Sequence, residues 1–181
     1  MTELAGLTPD TATEGRWVLD PAGSRADFYV KHFWGAITVH GWFERLSGAG
    51  TVGPDGTVTG TLRIEAASLD TRNKARDKHL RSADFFDVEH HPSVTVTVSA
   101  ATAAGPGALA CTGTVEAAGH VEPLEFTARV EPGDGAVTLR AEITIDRALF
   151  GMTWSPLRIA SSLARATVVA RFTRNTERRS S

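Results

Sequence analysis

Between residues 15 and 173 the chain alternates apolar and polar positions with a period of two, the pattern of strands that turn one face to a core and the other to water. In "SRADFYVKH" Ala26, Phe28 and Val30 share one parity, while Arg25, Asp27 and Lys31 take the other. The same alternation puts Ile37, Val39 and Phe43 on one face of 36–44, and Val58, Leu62 and Ile64 on one face of 57–66. Val94, Val96 and Val98 follow, then Leu109, Cys111 and Val115, then Leu124, Phe126, Ala128 and Val130. The last two runs are Val137, Leu139, Ala141, Ile143 and Ile145, and Ala166, Val168, Ala170 and Phe172. This makes about eight strands, several of them longer than the usual five or six residues. Turn signals separate them: "GPDG" at 53–56, "AGPG" at 104–107, "PGDG" at 132–135 and Gly119. Short turns force antiparallel neighbours, and a meander of this length removes its exposed edges most simply by closing on itself. The pattern therefore favours an all-β, extended antiparallel barrel of eight strands, with a two-layer sandwich as the open alternative.

Two stretches break the alternation. Arg72 to Ser82 contains helix formers, no β-branched residue and no glycine, and predicts a short helix at about 73–82. "RALFGMTWSPLRIASS", 147–162, holds Gly151 and Pro156 and an apolar set of no fixed period, so it predicts an irregular loop segment. Residues 1–14 and 174–181 are polar and unpatterned, and are expected to be disordered tails around one domain at 15–173.

Both breaks carry aromatics, Phe85 and Phe86 in the first, Phe150 and Trp154 in the second. An eight-stranded barrel is just wide enough to be filled by side chains or to hold one slender ligand. Either these aromatics plug the barrel, or they gate an apolar pocket. The energetics allow the second option, because ten to fifteen buried carbons gain roughly 8–12 kcal/mol gross. Association takes back about 4 kcal/mol or more, which leaves a micromolar complex within reach.

Charge and motif chemistry narrow the function. A formal charge of −2 without a basic stripe gives no footprint for nucleic acid. No run approaches the ~18 apolar residues of a membrane-spanning helix. "MTELAGLTPDTATEGR" has acidic residues where a secretory leader needs a basic start and an apolar stretch, so a soluble, cytoplasmic protein is expected. The lone Cys111 sits in an apolar run and reads as a core residue. "RDKHLRSADFFDVEHHP", 76–92, gathers three of the six histidines, but His79, His90 and His91 with Asp84, Asp87 or Glu89 match no metal-binding spacing. "LSGAG" at 46–50 is not a nucleophile elbow, and Asp77 and His79, two apart on a helix, face different ways. No catalytic set and no metal site are expected. Arg147 continues the inward parity of Ile143 and Ile145 to a barrel end, where it could meet a polar head group. The favoured alternative has it reaching the rim to pair with a carboxylate such as Asp77 or Asp87.

Four segments, "WVLDPAGSRADFYVKH" (17–32), "VHGWF" (39–43), "ASLDTRNKARDKHLRSADFFDVEHHP" (67–92) and "RALFGM" (147–152), resemble the YceI-like, polyisoprenoid-binding family of bacterial proteins. The middle block is the specific one, with Ser68, Leu69, Thr71, Asn73, Arg76, Asp77, His79, Leu80, Asp84, Phe85, Phe86, Asp87 and Pro92 in the family's order and spacing. The family's G-x-L-T-x-x-G segment is represented by "CTGTVEAAGHVEP" (111–123), with Val115 and Glu116 at the Leu-Thr positions. The resemblance implies a lipocalin-like barrel that binds, sequesters or transports an isoprenoid lipid, a quinone or another amphiphile, with no enzymatic role and no other cofactor. It implies a ligand wall of Phe28, Val30, Trp34, Val39, Phe43, Phe85, Phe86, Val96, Phe126, Ile143, Arg147, Phe150, Met152 and Trp154. Arg76, Asp77, His79 and Asp87 are implied to pin the helix across the barrel. A hydrophobic small molecule or lipid is then the expected partner, with a homodimer left open. The competing readings are an enzyme or stress factor acting on a small amphiphile at the mouth, and a plugged barrel used as an interaction module.

Overall fold

The computed structural model of the protein describes residues 14–175, so the expected tails lie outside the described residues except for Glu14, Arg174 and Asn175. Its strands are β1 (Gly15–Leu19), β2 (Arg25–His32), β3 (Ile37–Phe43), β4 (Leu46–Val52), β5 (Val58–Glu65), β6 (Leu69–Asp70), β7 (Ser93–Ala103), β8 (Ala108–Ala117), β9 (His120–Gly133), β10 (Ala136–Asp146) and β11 (Ala160–Arg174). One helix, α1 (Lys74–Arg81), lies between β6 and β7. The ring β1-β4-β5-β7-β8-β9-β10-β11 closes through pairing of β11 with β1, giving an eight-stranded antiparallel barrel.

Three of its eight long strands are broken. β1 and β2 pair with successive stretches of β11, Trp17↔Arg174 to Leu19↔Phe172 and then Arg25↔Val169 to His32↔Ala160, so they are one strand interrupted at Asp20–Ser24. Pro21 fixes the turn there and Asp20 caps it, accepting from the Ala22 amide at 3.1 Å. β3 and β4 form the second broken strand, and β5 and β6 form the third, with a 3-10 turn at Ala66–Ser68. Alternation reports β2 and β5 but passes over β1, which is short, and β4, whose "SGAG" has little apolar signal. Gly48 is in β4 for contact reasons: a Cβ there would lie 2.6 Å from the Thr61 carbonyl oxygen across the ladder.

The breaks divide the barrel into two halves. In the lower half, around Trp17, Val52 and Val137, the strands are paired to both neighbours except between β5 and β7, whose ladder ends at Gly60↔Val98 and leaves the start of β5 and the end of β7 with one partner each. In the upper half the wall opens twice. β5 pairs with β7 as far as Glu65↔Ser93, and β6 continues beside β3, so α1 and residues 82–92 occupy the place of a ladder. β9 pairs with β10 from Gly133↔Ala136 to Ala128↔Ala141, after which each keeps only its other neighbour, and the segment after β10 fills the gap.

The helix falls where the sequence predicts it. Asn73 caps it by accepting from the Arg76 amide at 3.0 Å. Its anchor is buried and polar: one Asp77 carboxylate oxygen accepts from the Thr71 amide at 3.0 Å and the Thr71 hydroxyl at 2.6 Å. Arg76 donates to the Thr71 hydroxyl at 2.8 Å and to its carbonyl at 2.9 Å. Arg81 reaches back to the Ala67 carbonyl at 2.9 Å. Leu69, 1% exposed, is the most deeply buried large side chain and packs in one cluster with Phe43 and Leu80.

Candidate functional site

Because β-strand side chains alternate, the inward parity of each strand lines one continuous apolar interior. It contains two adjoining cavities. The lower, about 170 Å³, is walled from Trp17 and Phe172 up to Leu139, Phe126 and Ala141, and its single titratable side chain is Cys111. Burial pushes that thiol's pKa up, so it stays protonated and behaves as a small apolar group. The upper, about 330 Å³, reaches the open half of the barrel, and Val96, Ile143 and Val168 belong to both.

Most of the implied ligand wall converges on the upper cavity. Phe28, Val30, Val39 and Phe43 come from β2 and β3, and Phe85 and Phe86 from the segment after α1. Arg147, Phe150, Met152 and Trp154 come from the segment after β10. Phe126 faces the lower cavity instead. Trp34 requires a correction: it is 89% exposed at the tip of the β2–β3 connection and does not line the interior. The backbone there leaves the extended conformation, with Phe33 and Trp34 at positive φ, so the period-two parity that would turn Trp34 inward ends before it.

The two irregular segments meet over the mouth. His79 on α1 packs edge-on against Phe85 and Trp154, with ring centroids 5.2 and 4.3 Å apart, and so joins the first break in the pattern to the second. Phe86 stands edge-on to Phe43 at 5.7 Å, joining the same segment to the barrel wall. The helix-pinning set divides. Arg76 and Asp77 share Thr71, whereas His79 pairs with Asp84 at 2.8 Å and Asp87 pairs with His90 at 2.9 Å, away from the anchor. His91 lies against Gly119 in the β8–β9 turn, so the three neighbouring histidines are dispersed onto separate partners. Among the described residues no three His, Cys, Asp or Glu side chains are placed to hold a metal ion.

Arg147 also departs from its favoured reading. It is 9% exposed and pairs with neither Asp77 nor Asp87, whose oxygens are engaged by Thr71 and His90. Its guanidinium donates instead to backbone carbonyls: Ser161 at 2.8 Å, Met152, and Trp154 at 3.4 Å. The reason is positional. Asp146 caps the turn at Arg147–Phe150 by accepting from the Ala148 amide at 3.0 Å, and Gly151, at φ 72°, reverses the chain so that its carbonyls surround the guanidinium. Burial lowers the Arg147 pKa, opposed by nearby Asp146, yet an arginine stays cationic throughout the working range. The group stands 5.9 Å from the Phe85 ring centre, at the boundary between apolar cavity and polar mouth.

His32 is a lining residue that the candidate set missed, although it shares the inward parity of Phe28 and Val30. Burial first, then the positive charges of Arg147 and Arg76, hold its pKa below the ordinary histidine value of 6.5. The mouth thus carries one buried cation, a second at Arg76, and a neutral imidazole, set around aromatic rings.

The family model described as YceI-like domain matches residues 17–172. The chain is similar to a UPF0312 protein of Vibrio cholerae, 28% identical over 124 residues covering 66% of this chain and 65% of that protein. A UPF0312 protein of Azotobacter vinelandii is 29% identical over 118 residues, 62% of this chain and 60% of the relative. The matched region thus spans just under two thirds of these curated relatives' length. Among solved structures, BcnA of Burkholderia cenocepacia superposes with a TM-score of 0.77 at 20% identity, over 84% of this chain and 98% of that one. A polyisoprenoid-binding domain from Saccharophagus degradans superposes with a TM-score of 0.73 at 16% identity, over 87% and 98%. At these identities the superpositions establish the barrel and helix arrangement.

Proposed function

Because the chain belongs to the YceI-like domain family, we propose that it is a non-catalytic binding protein that holds an isoprenoid-type lipid, tail in the barrel and polar end at the mouth. The observation that supports this most is the unfilled apolar interior, two cavities joined at Val96, Ile143 and Val168, where a plugged barrel would have side chains. The lower cavity suits an isoprenoid tail, since its wall offers no hydrogen-bonding charge and desolvates only carbon. The upper end suits a head with acceptor oxygens, a quinone carbonyl or an alcohol, because Arg147 and Arg76 supply donors there. An enzyme reading has less to stand on. Asp77 is consumed by Thr71, and among the described residues the His79–Asp84 pair makes no hydrogen bond to a serine, threonine or cysteine side chain that it could activate.

Organic extraction of the purified protein followed by mass spectrometry tests the reading, together with titration of the delipidated protein by geranylgeraniol. Saturable binding, lost in Phe126→Arg and reduced in Ala141→Trp, is the expected result. The second variant fills the lower cavity without burying a charge and so separates lost space from lost fold. Neither extracted lipid nor saturable binding in the wild type would overturn it. A quinone carrying the same tail should depend on Arg147: Arg147→Met, which also strands the Ser161, Met152 and Trp154 carbonyls, should weaken the quinone about tenfold more than it weakens the plain hydrocarbon tail, the value of one charge-assisted hydrogen bond.

A further inference from the structure

The mouth presents apolar side chains to water in a way that neither the cavity nor the core requires. Trp34 is 89% exposed and Leu157 is 91% exposed, with Ile37 and Leu163 each about half exposed beside them. Trp34 and Leu157 sit at the tips of two different loops, and both tips are held in left-handed backbone, Trp34 at φ 55° and Leu157 at φ 56°. Bulky residues avoid that region, so each tip is kept in shape by its surroundings at a cost, with its side chain turned outward. The loops form one body. The Phe33 amide donates to the Ile159 carbonyl at 2.8 Å, and His32 pairs with Ala160 at the end of the β2–β11 ladder.

The two segments that carry the tips hold basic charge only, and the acids at their border, Asp146 opposite Leu163 and Asp84 beside His79, are engaged in the turn to Ala148 and in the His79 pair. From Phe28 to Phe43, and again from Arg147 to Asn175, there is no aspartate or glutamate. Lys31, which lies along the β2–β3 tip close to Gly35, and Arg158, next to Leu157, are both exposed and basic. The same loop also forms cavity wall: Pro156 and Ile159 line the upper cavity while Leu157 between them points away.

We propose that the Trp34–Leu157 edge of the mouth docks on an anionic bilayer surface. Trp34 and Leu157 enter the interfacial layer, and Lys31 and Arg158 rest among the head groups. A tryptophan at the head-group level with basic residues beside it is the composition such an interface selects, and the docked face carries the cavity opening with it. A second copy of the chain is the poorer occupant, because a two-fold contact joins the patch to itself and sets basic rim against basic rim. The proposal is independent of what fills the barrel.

Flotation with vesicles of phosphatidylcholine, with and without phosphatidylglycerol, tests it directly. Wild type should bind the phosphatidylglycerol vesicles and be released by salt. Trp34→Ser with Leu157→Ser should weaken binding about tenfold or more, and Lys31→Glu with Arg158→Glu should abolish the preference for anionic lipid. All four positions are exposed, so far-ultraviolet circular dichroism, denaturant midpoint and geranylgeraniol titration should match wild type. Loss of titration in wild type would count against the lipid-binding reading alone, and unaltered flotation of the variants against docking alone. Absent flotation, flotation indifferent to phosphatidylglycerol, or a sedimenting dimer that the serine pair dissociates would overturn docking.

Discussion

The two halves of the barrel are built from the same alternating strands and closed by different means. The lower half is closed mainly by backbone: apart from the ends of β5 and β7 beyond Gly60↔Val98, each strand hydrogen-bonds to both neighbours, and the enclosed space is lined by carbon. The upper half is closed by side chains, a helix anchored through Thr71 and two segments held together by His79, Phe85 and Trp154. A ladder is hard to open without losing many hydrogen bonds at once, whereas an aromatic contact contributes about 0.5–1.5 kcal/mol beyond burial and can part locally. The difference makes the lower well the stiffer half and the cover the part that costs less to open.

The sharpest way to break the comparison is to break the ladder. At Gly113 in β8 a Cβ would lie 1.8 Å from the Thr97 carbonyl oxygen and 3.0 Å from the Val98 Cα, both backbone. Gly113→Val therefore has to force β7 and β8 apart next to the irregularity at Val98/Ala100. It should cost more than about 4 kcal/mol, in the range reserved for such named mechanisms. Denaturant unfolding should show both halves lost together, and a stable variant would mean that the lower wall is softer than its pairing implies.

The next effect should stay in the upper half. Asp77→Ala strands the buried Thr71 amide and hydroxyl, the hydroxyl being the one to which Arg76 donates, at a cost of about 2–4 kcal/mol. Hydrogen exchange should then rise in α1 and residues 82–92 while β8 to β10 below Ala128 keep their protection. Exchange that rises evenly throughout would show that the cover and the well open as one unit.

These two halves also differ in how well the sequence reveals them. Period two exposes much of the lower wall, since Val137, Leu139, Ala141 and Ile143 need only alternate to be placed, but it passes over β1 and β4, which bring Trp17 and Val52 to that wall. The helix formers and the absence of β-branched residues and glycine likewise place α1 within a residue at each end. The upper half is set by contacts that no period encodes. Arg147 looks like a rim arginine because its acceptors are carbonyls of Met152, Trp154 and Ser161, and a carbonyl has no letter in the sequence. Trp34 looks inward because the parity of β2 and β3 runs up to it and the left-handed turn that ends that parity leaves no proline or second glycine as a sign. His32 was legible by the parity it shares with Phe28, but its weight comes from Arg147 and Arg76, which reach it from distant segments.

The smallest expected effect is electrostatic and again falls on the upper half alone, since the lower cavity holds only a protonated thiol. Burial, reinforced by Arg147 and Arg76, holds the His32 pKa below 6.5 in the folded protein, so the folded state takes up the proton less readily than the unfolded chain. By linkage, a lowered folded pKa means that the stability is fully present above the unfolded value, near 6.5, and is lost as pH falls through the folded value. His90 acts in the opposite sense. Its hydrogen bond to Asp87 raises its pKa, so its contribution is present at low pH and lost as pH rises, but the pair is exposed and screened. The two slopes are separable by difference. Denaturant midpoints of wild type and His32→Gln, compared from above neutrality to moderately acid pH, should converge at the acid end if wild type alone carries the His32 penalty. In that case hydrogen exchange should place the acid-induced opening in residues 147–159 and α1, the segments that bring the two arginines to the imidazole. Parallel midpoints at every pH would mean that water or movement of the cover relieves His32 of its charged neighbours, and the mouth would then be looser than its hydrogen bonds to Arg147 suggest.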